Sequence, residues 1–314
     1  MHLLQRLLDG IPYVGRLRQR LRELSETLAV SRHAVTTAEG EYPAGHFYSP
    51  IPSQLQVAAY VDTTAKHPNR AAQEVDLNIA GHSALAEEFA RYYGEVSFPE
   101  EKQAGYRFYF KQTMLIHPDA ILLYCFLRHF RPGRIIEVGS GFSSAVMLDT
   151  AERWLVPPAQ LTCIDPYPER LTRLLKPDDE SRCLIIPERL QSVPLKTFDD
   201  LGPGDLLFID SSHVVSAGSD VQHIFTEILP RLRTGVFVHF HDVVYPFEYP
   251  ADWLLHGRYW NEAYFLRAFL AYNSQWEITW FNSYAQNEFR SFLDEKMPLC
   301  LKGTGGSIYI KRVK

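Results

Sequence analysis

Arg134-Ile135-Ile136-Glu137-Val138-Gly139-Ser140-Gly141-Phe142-Ser143-Ser144 is the stretch that decides the fold. An apolar run of strand length enters a glycine-containing turn, and the turn opens a helix. Gly139 and Gly141 allow the backbone to approach a ligand and to take conformations closed to other residues. The start of the helix offers unpaired N–H groups at the same place. A dinucleotide-binding turn wants a third glycine for tight helix–strand packing, and Ser144 stands there instead. Glu137 precedes the first glycine by two residues. A carboxylate so close repels a pyrophosphate and suits a ligand that carries an ammonium group and no phosphate.

Downstream of this turn, strand-length apolar runs alternate with helical segments. Strands are expected at 134–138, 161–164, 183–186, 206–209, 236–240, 277–281 and 307–311. Helices are expected at 143–153, 168–175, 219–232 and 261–272. Such alternation builds a parallel sheet with helices on both faces. The last two strands follow each other without an obvious helical crossover. They imply a hairpin, and so one antiparallel edge strand. No internal repeat is present.

Upstream, 119–130 and 80–93 read as helices, and residues 31 to about 75 are interrupted by Pro43, Pro50, Pro52 and Pro68. The first thirty residues read as helix, broken near Gly10-Ile11-Pro12. Leu17, Leu21, Leu24 and Leu28 form a short seam there, suited to packing on the same domain or on a second copy. The division expected is an N-terminal helical segment (1–30), a cap or substrate subdomain (31–108) and the main domain (109–314).

Composition removes several classes. A net charge of -5 with 22% charged residues gives no basic excess for nucleic acid. No apolar run is long enough to span a membrane, so no stable membrane insertion is expected. The N-terminus lacks the pattern of a signal peptide. Cys125, Cys163, Cys183 and Cys300 form no paired motif; the first three sit inside apolar runs and read as buried core thiols, and a reducing, cytoplasmic setting fits.

Asp165 ends the strand after the glycine turn, placed to accept from both hydroxyls of a ribose. With it, residues 134–242 resemble the core of class I S-adenosylmethionine-dependent methyltransferases, closest to the bacterial group that is similar to catechol-type and macrolide-sugar O-methyltransferases. The resemblance implies a Rossmann-like, doubly wound, mostly parallel seven-stranded α/β sheet with an antiparallel edge strand, preceded by the helical and irregular extension. It implies S-adenosyl-L-methionine as cofactor, held by Glu137, Gly139, Ser140, Gly141, Asp165, Leu190, Gln191 and Asp210, with Leu190-Gln191 at the adenine.

A further group sits at the ends of the fourth and fifth strands: Asp210 and His213, then His241 and Asp242. Ligands in such sheets bind beyond the carboxyl ends of the strands. In metal-dependent relatives of this resemblance, acids at these places hold Mg²⁺. That makes Asp210, His241 and Asp242 candidate ligands of a divalent metal. His241 departs from the usual acidic or amide residue and admits a softer ion. A metal-free site with His213 or His241 as general base, assisted by Asp210, is the other reading. His239 is expected as a hydrogen-bonded core histidine, and Asp220 with His223 as a local surface pair.

Aromatic clusters at 47–50, 106–110 and 244–250 suit a sugar or planar acceptor, or equally cement the upstream segment to the core. The activity implied is methylation of a small-molecule or glycan acceptor, expected at oxygen from the Asp/His cluster, and the Asn/Asp-Pro-Pro-aromatic signature of many N-methylases is absent. Two rivals remain: a metal-dependent hydroxylase or hydrolase on the same fold, and a non-catalytic protein that binds S-adenosylmethionine. A homo-oligomer through the N-terminal helix is a further expectation.

Overall fold

A computed structural model describes residues 40–66 and 71–314, together with 20, 21, 24 and 25. Most of the expected N-terminal helix, its break and two of the four seam leucines, Leu17 and Leu28, lie outside the described residues, as does the oligomer reading built on them.

In chain order the helices are α1 (Gln54–Lys66), α2 (Ile79–Tyr93), α3 (His117–Phe130), α4 (Phe142–Trp154), α5 (Glu169–Thr172), α6 (Lys196–Asp199), α7 (Asp220–His223), α8 (Ala251–Leu255), α9 (Glu262–Leu270), α10 (Asn282–Glu288) and α11 (Arg290–Lys296). The strands are β1 (Arg134–Val138), β2 (Gln160–Ile164), β3 (Cys183–Ile186), β4 (Leu206–Ile209), β5 (Phe237–Phe240), β6 (Trp276–Phe281) and β7 (Ile308–Arg312). They form one seven-stranded sheet in the order β3-β2-β1-β4-β5-β7-β6. β1 to β5 are mutually parallel, and β7 runs antiparallel to both neighbours.

Chain order reverses at β1, which lies between β2 and β4. That reversal opens a crevice at the carboxyl ends of the strands. Register brings their exits level: Val138 pairs with Ile164 and Ile209, and Ile209 with Phe240. Ladder bonds continue one residue further, from Gly139 N to Ile164 O (3.0 Å), Asp210 N to Val138 O (2.9 Å) and His241 N to Ile209 O (2.9 Å). The residues that begin the three turns are thereby held side by side.

The chain divides into two compact units. One joins residues up to 68 with Ala251–Tyr259, and its described part contains α1 and α8. Within it, Gln54 Nε2 donates to the Tyr259 hydroxyl at 2.8 Å. The other, Asn69–Pro250 with Trp260–Lys314, holds the whole sheet. Residues 71–108, expected with the cap, therefore lie in the same unit as the sheet. Phe89 of α2 packs on Trp280, and Phe98 and Phe108 pack edge to face. Arg107 clamps this segment to the sheet's first helix. It is buried, and it reaches Asp149 and Glu152 of α4 at 2.7 Å each and Asp179 through Nε at 2.7 Å. For the 106–110 cluster, the cementing role is the one observed. α3 is buried along Pro118–Leu127, which is why its apolar pattern runs all round rather than along one stripe.

Two elements differ from the expected pattern. The helix expected over 219–232 is α7, then a π turn over Ile224–Ile228 and a 3₁₀ turn over Leu229–Arg231. Pro230 has no N–H and clashes with the preceding turn, so the regular ladder does not continue through it. The expected late hairpin is not tight. β6 and β7 are antiparallel neighbours, but α10, α11 and a 3₁₀ turn connect them. The reversed strand β7 lies one place in from the edge strand β6. α10 and α11 are seven residues each and lack side-chain caps, so they leave little start or stop signal in the sequence.

Candidate active site

The glycine turn is shaped first by the protein itself. Gly139 has φ 79°, and a Cβ there would lie 1.8 Å from the carbonyl oxygen of Asp210. The missing side chain makes room for the exit of β4 rather than for a ligand. Ser140 donates to Asp165 Oδ2 from both its N–H and its hydroxyl, each at 2.9 Å, and Tyr167 N donates to Oδ1 at 2.8 Å. Asp165 is thus fixed at the end of β2, next to the turn. Ser144, in the place of a third glycine, accepts from Gly141 N at 3.0 Å and caps the start of α4.

Glu137 differs from its expected role. Its carboxylate is fully buried and accepts from the hydroxyls of Ser143 (2.6 Å) and Ser144 and from the thiol of Cys163 (3.3 Å). It ties β1 to α4 and does not line the ligand cavity. Alternation along the strand turns residue 137 into the packed helix layer, whatever its closeness to the turn in sequence. Burial pushes its pKa up to about 7, against the three hydrogen bonds it accepts.

A cavity of about 650 Å³ opens where the strands end. That size lies within the roughly 300–1,000 Å³ of small-molecule sites. Gly139, Ser140, Asp165, Leu190, Gln191 and Asp210 line it, six of the eight expected donor contacts. Gly141, like Glu137, does not line it; the side chain of Arg170 packs over it instead, with Cδ 2.9 Å from where a Cβ would stand. Arg170, Arg189, Met114 and Trp260 also line the cavity. None has a sequence signal, since each arrives from a loop or short helix by folding alone.

Asp210, His213, His241 and Asp242 share this cavity, as the topology implied. Among the described residues, the ligand atoms of Asp210, His213 and Asp242 lie within 4.8 Å of one another, a spacing a metal ion could draw together. This grouping has His213 where the sequence placed His241. His213 Nε2 is 3.4 Å from Asp210 Oδ1 and 3.7 Å from Asp242 Oδ2. Its Nδ1 meets Glu262 Oε2 at 2.9 Å, the outer carboxylate that orients a ligating imidazole. Glu262 begins α9 and was invisible as a partner in sequence. His213 and Asp242 both adopt left-handed backbone, φ 60° and 54°. Such conformations are costly outside glycine and concentrate at functional sites.

Burial works against a charge on His213, but hydrogen bonds to Asp210 and Glu262, and their charges, outweigh it and lift its pKa to about 10. His241 is also raised: burial opposes its charge, while Asp210, Asp242 and Asp119 favour it. Asp210 is lowered, because the two histidines overcome its desolvation. Without a cation, His213 carries a proton at neutral pH and cannot take another. His241 Nε2 is 3.9 Å from Asp242 Oδ1.

His239 is a core residue, but not a hydrogen-bonded one. It stacks on Phe208 at 3.8 Å, and among the described residues neither ring nitrogen has a partner. Burial holds its pKa well below the usual value. Asp220 does not pair with His223; it accepts from Ser212 N at 3.0 Å and from the Ser212 hydroxyl. Of the aromatic loop after β5, Phe247 and Tyr249 are buried, with the Tyr249 hydroxyl accepting from Ala263 N at 3.0 Å. Trp260, 4.4 Å from the His213 ring, is an aromatic side chain that lines the cavity.

Residues 136–243 match the family model described as a methyltransferase domain. This stretch is a methyltransferase domain. Its bounds run from β1 to the turn after β5, so they contain both the glycine turn and the Asp/His cluster. An uncharacterized protein of Archaeoglobus fulgidus is 29% identical over 166 residues, 51% of this chain and 73% of that protein. Among solved structures, the O-methyltransferase TomG of Streptomyces achromogenes, in complex with SAM and involved in tomaymycin synthesis, is 20% identical, covering 76% of this chain and 92% of its own, with a TM-score of 0.40. An O-methyltransferase of Bacillus cereus in complex with SAH is 14% identical, covering 83% and 100%, with a TM-score of 0.37. The methyl donor of such a domain is S-adenosylmethionine. No helix among the described residues is long and apolar enough to cross a membrane.

Proposed function

We propose that the chain transfers the methyl group of S-adenosylmethionine to a hydroxyl oxygen of a small-molecule or glycosidic acceptor. One observation carries the reading: the donor-side residues and the Asp/His cluster line a single cavity, with Asp210 between them. An acceptor beside His241 and Asp242 then faces the donor held by Ser140, Asp165 and Leu190. The donor supplies an already activated methyl carbon, so the chain's task is alignment at near-attack distance and removal of the hydroxyl proton.

Asp210, His213 and Asp242 would hold a divalent cation, and a cation there would lower the pKa of a hydroxyl bound to it. Two carboxylates and an imidazole suit manganese, iron or zinc as well as magnesium. His213, bound through Nε2 and anchored on Glu262, would then be a ligand rather than a base. His241 is left to accept the proton. Trp260 offers the flat face against which a sugar or aromatic ring packs. A reducing, cytoplasmic setting is supported by four free, buried cysteines.

The test is turnover of labelled S-adenosylmethionine with a panel of catechols and sugars, with and without chelator. Chelator should abolish transfer to the accepted hydroxyl, and one of the divalent ions named should restore it. Asp242→Asn should lower turnover about 10²-fold while donor affinity by calorimetry stays within a few-fold. Full activity of the chelated enzyme would remove the cation, and tighter binding of NAD than of S-adenosylmethionine would remove the reading altogether.

A further inference from the structure

Outside the matched domain, two residues reach the back of the cavity and end on His241. Asp119 lies in the first turn of α3 and Ser307 just before β7, and both are buried. The Ser307 hydroxyl is 2.6 Å from Asp119 Oδ1 and 3.4 Å from His241 Nδ1. His241 is itself among the residues that line the cavity, and its Nε2, across the ring from Nδ1, is 3.9 Å from Asp242 Oδ1.

The direction of each proton in this chain follows from its partners. Trp280 Nε1 can only donate, and it donates to Asn282 Oδ1 at 2.8 Å. Asn282 must therefore present its NH₂ to Asp119, and Nδ2 lies 2.7 Å from Oδ1. Gly306 N donates to the same oxygen at 3.1 Å. Asp119 Oδ1 is thus an acceptor on every side, and the short contact to Ser307 is a hydroxyl donating to a carboxyl oxygen. A serine hydroxyl has one proton. With that proton committed to Asp119, the oxygen can only accept from His241. Nδ1 of His241 then carries the hydrogen, and in the neutral ring Nε2 is the nitrogen with the free lone pair.

We propose that Asp119 and Ser307 are positioning residues that lock His241 in the Nδ1–H tautomer, so that Nε2 faces the acceptor hydroxyl as a proton acceptor. The inference rests on the reading of the cavity as an O-methylation site. In the reaction, the hydroxyl O–H bond breaks, its proton goes to Nε2, the oxygen bonds to the methyl carbon, and the carbon–sulfur bond breaks with its electron pair passing to sulfur. The charge that develops on His241 is then shared through Ser307 toward Asp119. Neither residue falls in the 136–243 match, and each lies more than sixty positions from His241 in sequence.

The experiment pairs Ser307→Ala with Ser307→Thr in the full chain. The alanine variant should lose 10- to 100-fold in kcat, on the order seen when an outer-shell partner is removed, with acceptor KM and donor affinity within about twofold. Threonine restores the hydroxyl and should recover most of the rate, which a merely structural role would not require. Independently of turnover, ¹⁵N NMR of histidine-labelled protein at a pH where His241 is neutral should show it as the Nδ1–H tautomer. The resonance is identified by its loss in His241→Gln, and Ser307→Ala should shift it toward the other tautomer. An Nε2–H tautomer in the wild type, or unchanged kcat in Ser307→Ala, overturns the proposal. If no hydroxyl acceptor is methylated yet the tautomer is as stated, the O-methylation reading fails while the lock on His241 stands.

Discussion

Replacing Gly139 with alanine tests how the crevice is built. The new Cβ would lie 1.8 Å from the Asp210 carbonyl oxygen, roughly 1.6 Å inside ordinary contact near 3.4 Å. Both groups are backbone, so no side-chain rotation relieves the clash. The turn after β1 and the exit of β4 must separate, and the bonds Gly139 N to Ile164 O and Asp210 N to Val138 O stretch or break. Left-handed backbone at a residue with a Cβ costs about 1–2 kcal/mol, overpacking about 1–3 kcal/mol, and each lost hydrogen bond about 1 kcal/mol. With both bonds lost, Gly139→Ala should therefore lose about 4–7 kcal/mol of stability before any ligand is added. Urea unfolding followed by fluorescence reads this as a lower midpoint at unchanged slope. Where the variant still folds, displacement of Asp210 by about 1 Å should cost on the order of 10²-fold in turnover. If this glycine made room for the ligand instead, the ligand-free protein would lose only the left-handed strain of about 1–2 kcal/mol, and donor affinity would fall in addition. A loss confined to that strain would refute the reasoning.

Two further outcomes follow from buried charge. Glu137 has its pKa raised to about 7 by burial, whereas in the unfolded chain it ionises near 4.5. Between those values the folded state keeps a proton that the unfolded state has lost, so stability falls as pH rises through the window, by about 3 kcal/mol in all. Glu137→Gln should flatten that part of the pH–stability curve relative to wild type, and parallel curves would count against it. Arg107→Met strands the carboxylates of Asp149 and Asp179 without their cation. It should cost about 3–5 kcal/mol while donor affinity of the folded fraction stays within twofold by calorimetry; a loss under 1 kcal/mol would show the cluster to be dispensable.

The strands, the glycine turn and the acids at the strand ends were legible because they depend on local pattern. An apolar run of four or five residues, a turn needing glycine and a following helix are adjacent in the chain, and strand–helix alternation then dictates a parallel sheet. Asp165, Asp210 and Asp242 could be placed at one rim by topology alone. What the sequence misstated about Glu137 was its direction. Nearness to the turn suggested a ligand contact, and the two-residue period of the strand turned the carboxylate into the helix layer instead.

By itself, the sequence determined the sheet, its crevice and the residue types at its mouth, since local periodicity and chain order suffice for these. Only the tertiary structure decided which of those residues touch. It put His213 between Asp210 and Asp242, because left-handed backbone at residue 213 swings the imidazole to the two acids while Glu262, 49 positions away, holds its far side. It brought Asp119 and Ser307, 188 positions apart, onto the back of His241. Contacts of that range depend on how α3 and β7 pack against the sheet, and no spacing along the chain encodes them.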